Sequence, residues 1–176
     1  MDLFWRRGYA STSVRELERA LDLTAPAIYH RFGSKQALFE RALDHYVATI
    51  VVPRIAAYLV DTGDPVVNLY RFYRTAQSEL GCVLTNTGVD EAQPPSVRTR
   101  VHAGVETMRR AIADQLARAS EAGTLRADPE RTSHALIVAM HGLMAMARTG
   151  EPEAVRGATR AVFAAIFPDH PGFGQG

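Results

Sequence analysis

Lysine is almost missing from this chain. Of 20 basic residues, 19 are arginine and one, Lys35, is lysine, a bias that reads first as genome composition. Cysteine is equally scarce. The single Cys82 excludes an internal disulfide framework and fits a reducing compartment such as the cytoplasm. Net charge is only +1, so no global basic signal points to nucleic acid. No apolar run reaches membrane-spanning length: the longest, near Ala135 to Ala147, is short and carries His141 and Gly142, so no membrane partner is expected. The basic, apolar and cleavage regions of a signal peptide are missing too. So are a phosphate-cradling glycine loop, zinc-ligand spacing and a nucleophile elbow, and neither an enzyme nor a cofactor is expected.

What the sequence does have is apolar content, 47% of 176 residues, arranged with helical period and without strand alternation. Leu3, Phe4 and Trp5 end a helix at Gly8. Ser13, with Glu16 three residues on, offers a capping box to a helix whose inner face is Val14, Leu17 and Leu21. Asp22 suits a left-handed turn. Thr24 then caps a short helix that carries Pro26 in its first turn, where a missing amide hydrogen costs nothing. Ile28 and Phe32 face inward, Gly33 stops this helix, and Ser34 caps the next. Helix, tight turn and helix make a helix-turn-helix over about residues 13–32.

A helix from about Lys35 to Leu59 follows, with Leu38, Ala42, Tyr46 and Ile50 on one side and Pro53 expected to kink or interrupt it. Val66, Leu69, Tyr73, Ala76 and Leu80 mark another. Residues 81–96 mix a short apolar piece with a loop. A helix of about seven turns carries Val97, Val101, Val105, Met108, Ile112, Leu116 and Ala119. Two more cover about Glu130 to Arg148 and Glu153 to Phe167, and the tail from Asp169 is expected to fray. The chain therefore reads as all-α, with a helix-turn-helix unit over residues 1–45 and a larger helical body over residues 46–170.

Leu3-Phe4, Gly8-Tyr9, Thr12-Ser13-Val14, Leu17 and above all the run Leu23 to Lys35, with Tyr29, Phe32 and Lys35 three apart, resemble the TetR family of bacterial transcriptional repressors. Glu18 and Asp22 depart from the alanine and glycine usual there. The resemblance also implies further residues and a basic arm ahead of Met1. It implies a DNA-binding unit, a ligand-binding and dimerisation body, and pairing of the last two helices with their copies across a homodimer. Those helices are rich in small residues, among them Ala135, Ala139, Gly142, Ala161 and Ala165.

In a helix-turn-helix the second helix enters the major groove with its N-terminal residues nearest the bases. That places Ala25, Pro26 and Ala27 against thymine methyls, with Thr24, Tyr29 and His30 beside them. Arg15 is a candidate guanine reader, and Lys35 a phosphate clamp at a helix N-terminus. Spacing alone leaves an ordinary solvated helix face equally open. Residues 1–45 carry seven Lys or Arg against six Asp or Glu.

For the body, a cavity between the helices of Val66, Val97 and Glu130 is expected to take a small-molecule effector. Its candidate contacts are Phe72, Tyr73, Cys82, Asn86, His102, Met108, Met140 and His141. His134 and His141 lie about 10 Å apart along their helix, too far to share a metal bound at about 2 Å. The function expected is a repressor released from double-stranded operator DNA by a small molecule. The alternatives are a helical ligand-binding protein that never touches DNA, and a repressor that senses electrophiles or oxidants through Cys82.

Overall fold

Residues 1–75, 80–88, 93–148 and 152–173 are described in the computed structural model. Among them every regular element is helical. Helix α1 (Asp2–Arg7) ends at Gly8, whose φ of 77° reverses the chain. In α2 (Val14–Leu21) the Ser13 hydroxyl accepts from the Glu16 N–H and the Glu16 carboxylate accepts from the Ser13 N–H, a complete capping box. Asp22 stops α2 in the left-handed conformation at φ 53°. Helix α3 (Ala25–Phe32) follows and ends at Gly33. Helix α4 (Lys35–Tyr46) starts on Ser34, whose hydroxyl accepts from the Ala37 N–H.

Pro53 does not break the helix that carries it. Helix α4 passes without a gap through a π-helical segment (Val47–Val51) into α5 (Val52–Tyr58). The expected interruption is replaced by a wider turn directly ahead of the proline, where the Val52 N–H reaches back to the Val47 carbonyl. Proline removes one N–H and crowds the carbonyl four residues back, and a π turn relieves both.

The body continues with α6 (Pro65–Thr75), α7 (Val83–Gly88), α8 (Pro95–Glu121), α9 (Pro129–Ala147) and α10 (Pro152–Ile166). Four of these five begin on proline, the position where its missing donor is harmless. The apolar piece expected inside a loop proves to be α7. The expected helical position Ala76 lies outside the described residues.

Helix α8 is the central post. Its Val97, Val101, Met108, Ile112, Leu116 and Ala119 are buried, α6 brings Leu69, Phe72 and Tyr73 to it, and α9 brings Leu136, Met140 and Met144. At the α8–α9 contact, Arg109 bonds Glu106 twice at 2.7 Å, Glu130 at 2.6 Å and the Ser133 hydroxyl at 2.9 Å. Hydrogen bonds from Arg109 and Arg110 pull the Glu106 carboxyl down to about 2. The N-terminal unit shares the same apolar core through Phe4, Leu17, Ile28 and Phe39.

The tail segment Asp169 to Phe173, expected to fray, is packed against the body. His170 is buried, and its Nε2 donates to Asp64 Oδ2 at 2.8 Å while its Nδ1 accepts from the Gly172 N–H at 3.1 Å. The Phe173 ring lies 4.7 Å from Tyr70 and 5.4 Å from Phe163. Pro168 and Pro171 forbid a helix here, but the side chains still pack. Asp64 also caps α6, accepting from the Val66 and Val67 N–H groups.

Gly104, midway along α8, marks a close approach. A Cβ there would stand 2.7 Å from Leu84 Cδ1 and 3.0 Å from Val47 Cγ2, in α7 and the π segment. Gly104→Ala is therefore expected to cost about 1–3 kcal/mol in urea unfolding, despite alanine's better helix propensity. Asp64 generates a pH prediction. Burial alone would raise its carboxyl, but the His170 bond and the Val67 and Val66 N–H groups hold it below the usual range. Stability gained this way is complete above the unfolded value of about 3.9 and is lost as pH falls through the lower folded value. In urea titrations over that window, wild type should lose stability more steeply than Asp64→Asn, with the two curves converging in acid.

Candidate nucleic-acid interface and regulatory cavity

The helix-turn-helix is locked by a contact that crosses it. Thr24 holds the N-cap position of α3, but its side chain makes no capping bond. The Ala25 N–H donates instead to Glu18 Oε1 at 2.6 Å, so α2 caps α3 with a carboxylate. Glu18, the departure from the family pattern, thereby fixes the angle between the two helices. It also means that this α3 amide is already satisfied and is not offered to a phosphate.

The side chains named from sequence for DNA contact lie at or near the surface. Arg15, Thr24, Pro26, Tyr29 and His30 are exposed, with Ala25 and Ala27 half-buried beside them. Tyr29 stands 45% exposed, unusual for a large apolar ring, while Ile28 on the opposite side is buried. Arg15 makes no ion pair among the described residues. Phe32 is half-buried rather than fully inward, flanked by the Arg31 and Arg41 guanidiniums at 5.7 and 5.6 Å. Lys35 opens α4 with its Nζ 4.5 Å from the centre of the Tyr9 ring, which packs on Phe39.

The expected ligand contacts divide. Phe72, Tyr73, Met108 and Met140 are closed core, at most 2% exposed. Tyr73 donates its hydroxyl to the Leu136 carbonyl at 2.5 Å, and burial pushes its phenol up. Asn86 donates to the Leu80 carbonyl at 2.9 Å, which also accepts from the Trp5 indole. Cys82 is 1% exposed, and the Tyr46 hydroxyl donates to its sulfur at 3.4 Å. Burial, followed by the neighbouring Cys82, raises the Tyr46 phenol, and burial lowers the Arg54 guanidinium beside them.

Of the expected contacts, His102 and His141 line a cavity among the described residues, one bounded by α7 where α6 was expected. A space of about 470 Å³ opens between α7, α8 and α9. The aromatic side chains of α6 fill the site anticipated there. Leu84, Val97, Val101 and Val105 form the apolar wall. Thr85, Thr87, Gln93 and His141 supply polar atoms, Gly88 also lines the wall, and Arg98 and His102 stand at the solvent side. Burial lowers the His141 imidazole below its ordinary value, which keeps it neutral at neutral pH. Its Nε2 is buried without a hydrogen bond among the described residues, as is the Thr85 hydroxyl. Sequence reasoning missed Thr85 and Gln93 because residues 81–96 show only a short apolar piece mixed with a loop, with no sustained helical period. It missed Arg98 because the valine stripe beside it already accounted for that turn as core.

The same turns of α8 hold α4 on their other side. Arg100 Nη1 bonds both oxygens of Asp44 at 2.8 and 2.7 Å, and its Nη2 lies 3.5 Å from Glu40. The Ser96 hydroxyl donates to Glu40 at 2.6 Å, and Gln36 donates to both, at 2.9 and 3.0 Å. Hydrogen bonds from Ser96 and Gln36, aided by Arg100, hold the Glu40 carboxyl below its usual range. Ser96 and Arg100 thus alternate with Val97 and Val101, one face gripping α4 and the adjacent face walling the cavity.

Comparison with known proteins agrees with this layout. Residues 1–42 match the family described as "Bacterial regulatory proteins, tetR family". Residues 66–162, more than half of the chain, match "Tetracyclin repressor-like, C-terminal domain". The HTH-type transcriptional repressor ComR of Escherichia coli strain K12 is 43% identical over 47 residues, which span 27% of this chain and only 22% of ComR. A TetR transcriptional regulator from Chloroflexus aurantiacus J-10-FL superposes with a TM-score of 0.81 at 27% identity, covering 93% of this chain and 88% of that one. The fold is also that of a cysteine mutant of the TetR family regulator CifR, complexed with 26-bp double-strand operator DNA, at a TM-score of 0.82, 23% identity and coverage of 94% and 91%. On the two family matches, which between them take in the helix-turn-helix and most of the body, the chain belongs to the TetR family of bacterial regulatory proteins.

Proposed function

We propose that this protein is a repressor, not an enzyme, that works in the cytoplasm as a homodimer. It holds double-stranded operator DNA through α3 and releases it when a small molecule fills the α7–α8–α9 cavity. The observation that carries this reading is the shared stretch of α8, which grips α4 through Ser96 and Arg100 and walls the cavity through Val97 and Val101. Residues 1–45 act as the DNA-binding unit and residues 46–170 as the ligand-binding and dimerisation unit. Supporting it, ComR is described as a repressor and CifR is complexed with operator DNA.

In this reading Thr24, Ala25, Pro26, Ala27, Tyr29 and His30 meet the major groove, Arg15 reads a base edge, and Lys35 grips a phosphate. A homodimer supplies two such units, as a two-half-site operator requires. The second copy fits the face of α9 and α10 that leaves Val138 71% exposed among Ala135, Gly142, Ala161 and Ala165. The effector must favour one spacing of the two α3 helices over another, because equal affinity for both shifts nothing. His102 and His141 are its proposed contacts among the residues first named from sequence. Phe72, Tyr73, Met108 and Met140 serve as packing behind the cavity.

DNA titrations test the assignment, using a duplex selected by the protein from random sequence. Lys35→Ala should weaken binding to all sequences alike and flatten the salt dependence by about one phosphate contact. Arg15→Ala should relax preference at one base position, by about 1–3 kcal/mol for a bidentate contact. Unchanged affinity and salt slope in Lys35→Ala would remove α4 from the backbone, and failure to select any duplex would overturn the repressor reading itself.

A further inference from the structure

Helical threonines in this chain have a habit. Thr99, Thr107 and Thr132 each donate to the carbonyl four residues back, at 3.1, 2.9 and 2.7 Å. Thr85 in α7 does not follow it. Its hydroxyl is buried and makes no hydrogen bond among the described residues, and the Nε2 of His141 in α9 is in the same state. Buried polar atoms are ordinarily paired. These two belong to side chains lining the same cavity from different helices. At its solvent side Arg98 and His102, one helical turn apart, are exposed and make no ion pair among the described residues. No carboxylate lines the cavity among the described residues, and the rest of the wall is largely aliphatic.

We propose that the cavity takes a small amphipathic carboxylic acid carrying a second oxygen function: an apolar body against Val97, Val101 and Val105, the carboxylate at Arg98 and His102, and a hydroxyl or carbonyl oxygen between Thr85 and His141. The proposal rests on reading this cavity as the effector site and names the chemistry of the effector. An arginine at the solvent side rewards an anion with a charge-assisted bond. Neutral His141 and the Thr85 hydroxyl each donate to, or accept from, an uncharged oxygen. A neutral apolar molecule would leave both atoms unpaired.

Calorimetry on the full chain tests this without DNA. The probes are two matched sets: 4-hydroxybenzoate, 4-hydroxybenzyl alcohol and benzoate, and 8-hydroxyoctanoate, 1,8-octanediol and octanoate. In at least one set the hydroxy acid should bind about tenfold more tightly than the neutral alcohol, and more tightly than the acid lacking the hydroxyl. Arg98→Ala, a surface change, should erase the first preference. Thr85→Val and His141→Phe should each erase the second while leaving the first. The proposal is overturned if no acid binds, if the alcohol binds as well as its acid, or if Arg98→Ala leaves the preference intact. Acid binding with these mutant patterns but without release of DNA would uphold the ligand class and overturn the effector reading. DNA release by a neutral probe through this cavity, with no acid bound, would do the reverse.

Discussion

Arg100 in α8, held between Asp44 and Glu40 of α4, is the interaction on which the rest of this structure turns. It ties the helix that follows the helix-turn-helix to the helix at the centre of the body, and Ser96 and Gln36 complete the grip. Surface ion pairs taken singly contribute little, roughly 0–1 kcal/mol. This one spans both Asp44 oxygens from a single nitrogen, belongs to a network, and sits where two units meet, so its value lies in fixing their relative position. The cavity wall begins on the neighbouring residue of each, Val97 and Val101. The same turns of α8 therefore touch both the cavity and α4.

The N-terminal unit explains why its charge count says so little. Seven basic and six acidic residues nearly cancel over residues 1–45. Yet Glu16 is consumed by the Ser13 capping box and Arg7, Glu18 by the Ala25 amide, and Glu40 and Asp44 by the clamp. Four of the six acids are thus tied up in capping and in the α4–α8 contact, leaving Asp2 and Asp22, while Arg15, Arg19 and Arg31 remain on the outside. A face can be basic in a unit that is neutral by count.

Local signals made much of this fold legible in the sequence. Ser13 with Glu16, Asp22, Pro26 and Gly33 each act within a few residues, so the helix-turn-helix and its boundaries followed directly. The long stripe of α8 was equally plain, because neither strands nor loops sustain a helical period over seven turns. What stayed hidden depends on distance. The Glu18 cap joins residues seven apart across a turn. Pro53 read as a kink or an interruption, and the chain instead runs on through a π-helical turn directly ahead of it. The tail lacked any periodic pattern, and only the folded chain brings His170 to Asp64 across 106 positions. The cavity was placed one helix away because aromatic residues suggest either a pocket or its filling, and in α6 they fill.

Coupling between cavity and clamp is the central claim, and a double-mutant cycle measures it without knowing the natural effector. Val105→Trp puts a bulky ring into the cavity and imitates an occupant, while Arg100→Ala cuts the link to α4. DNA affinity is measured for wild type, each single variant and the double variant. Coupling predicts that Val105→Trp weakens DNA binding in the wild-type background and has little further effect once Arg100 is gone. Losses that simply add, within about 0.5 kcal/mol, would contradict it.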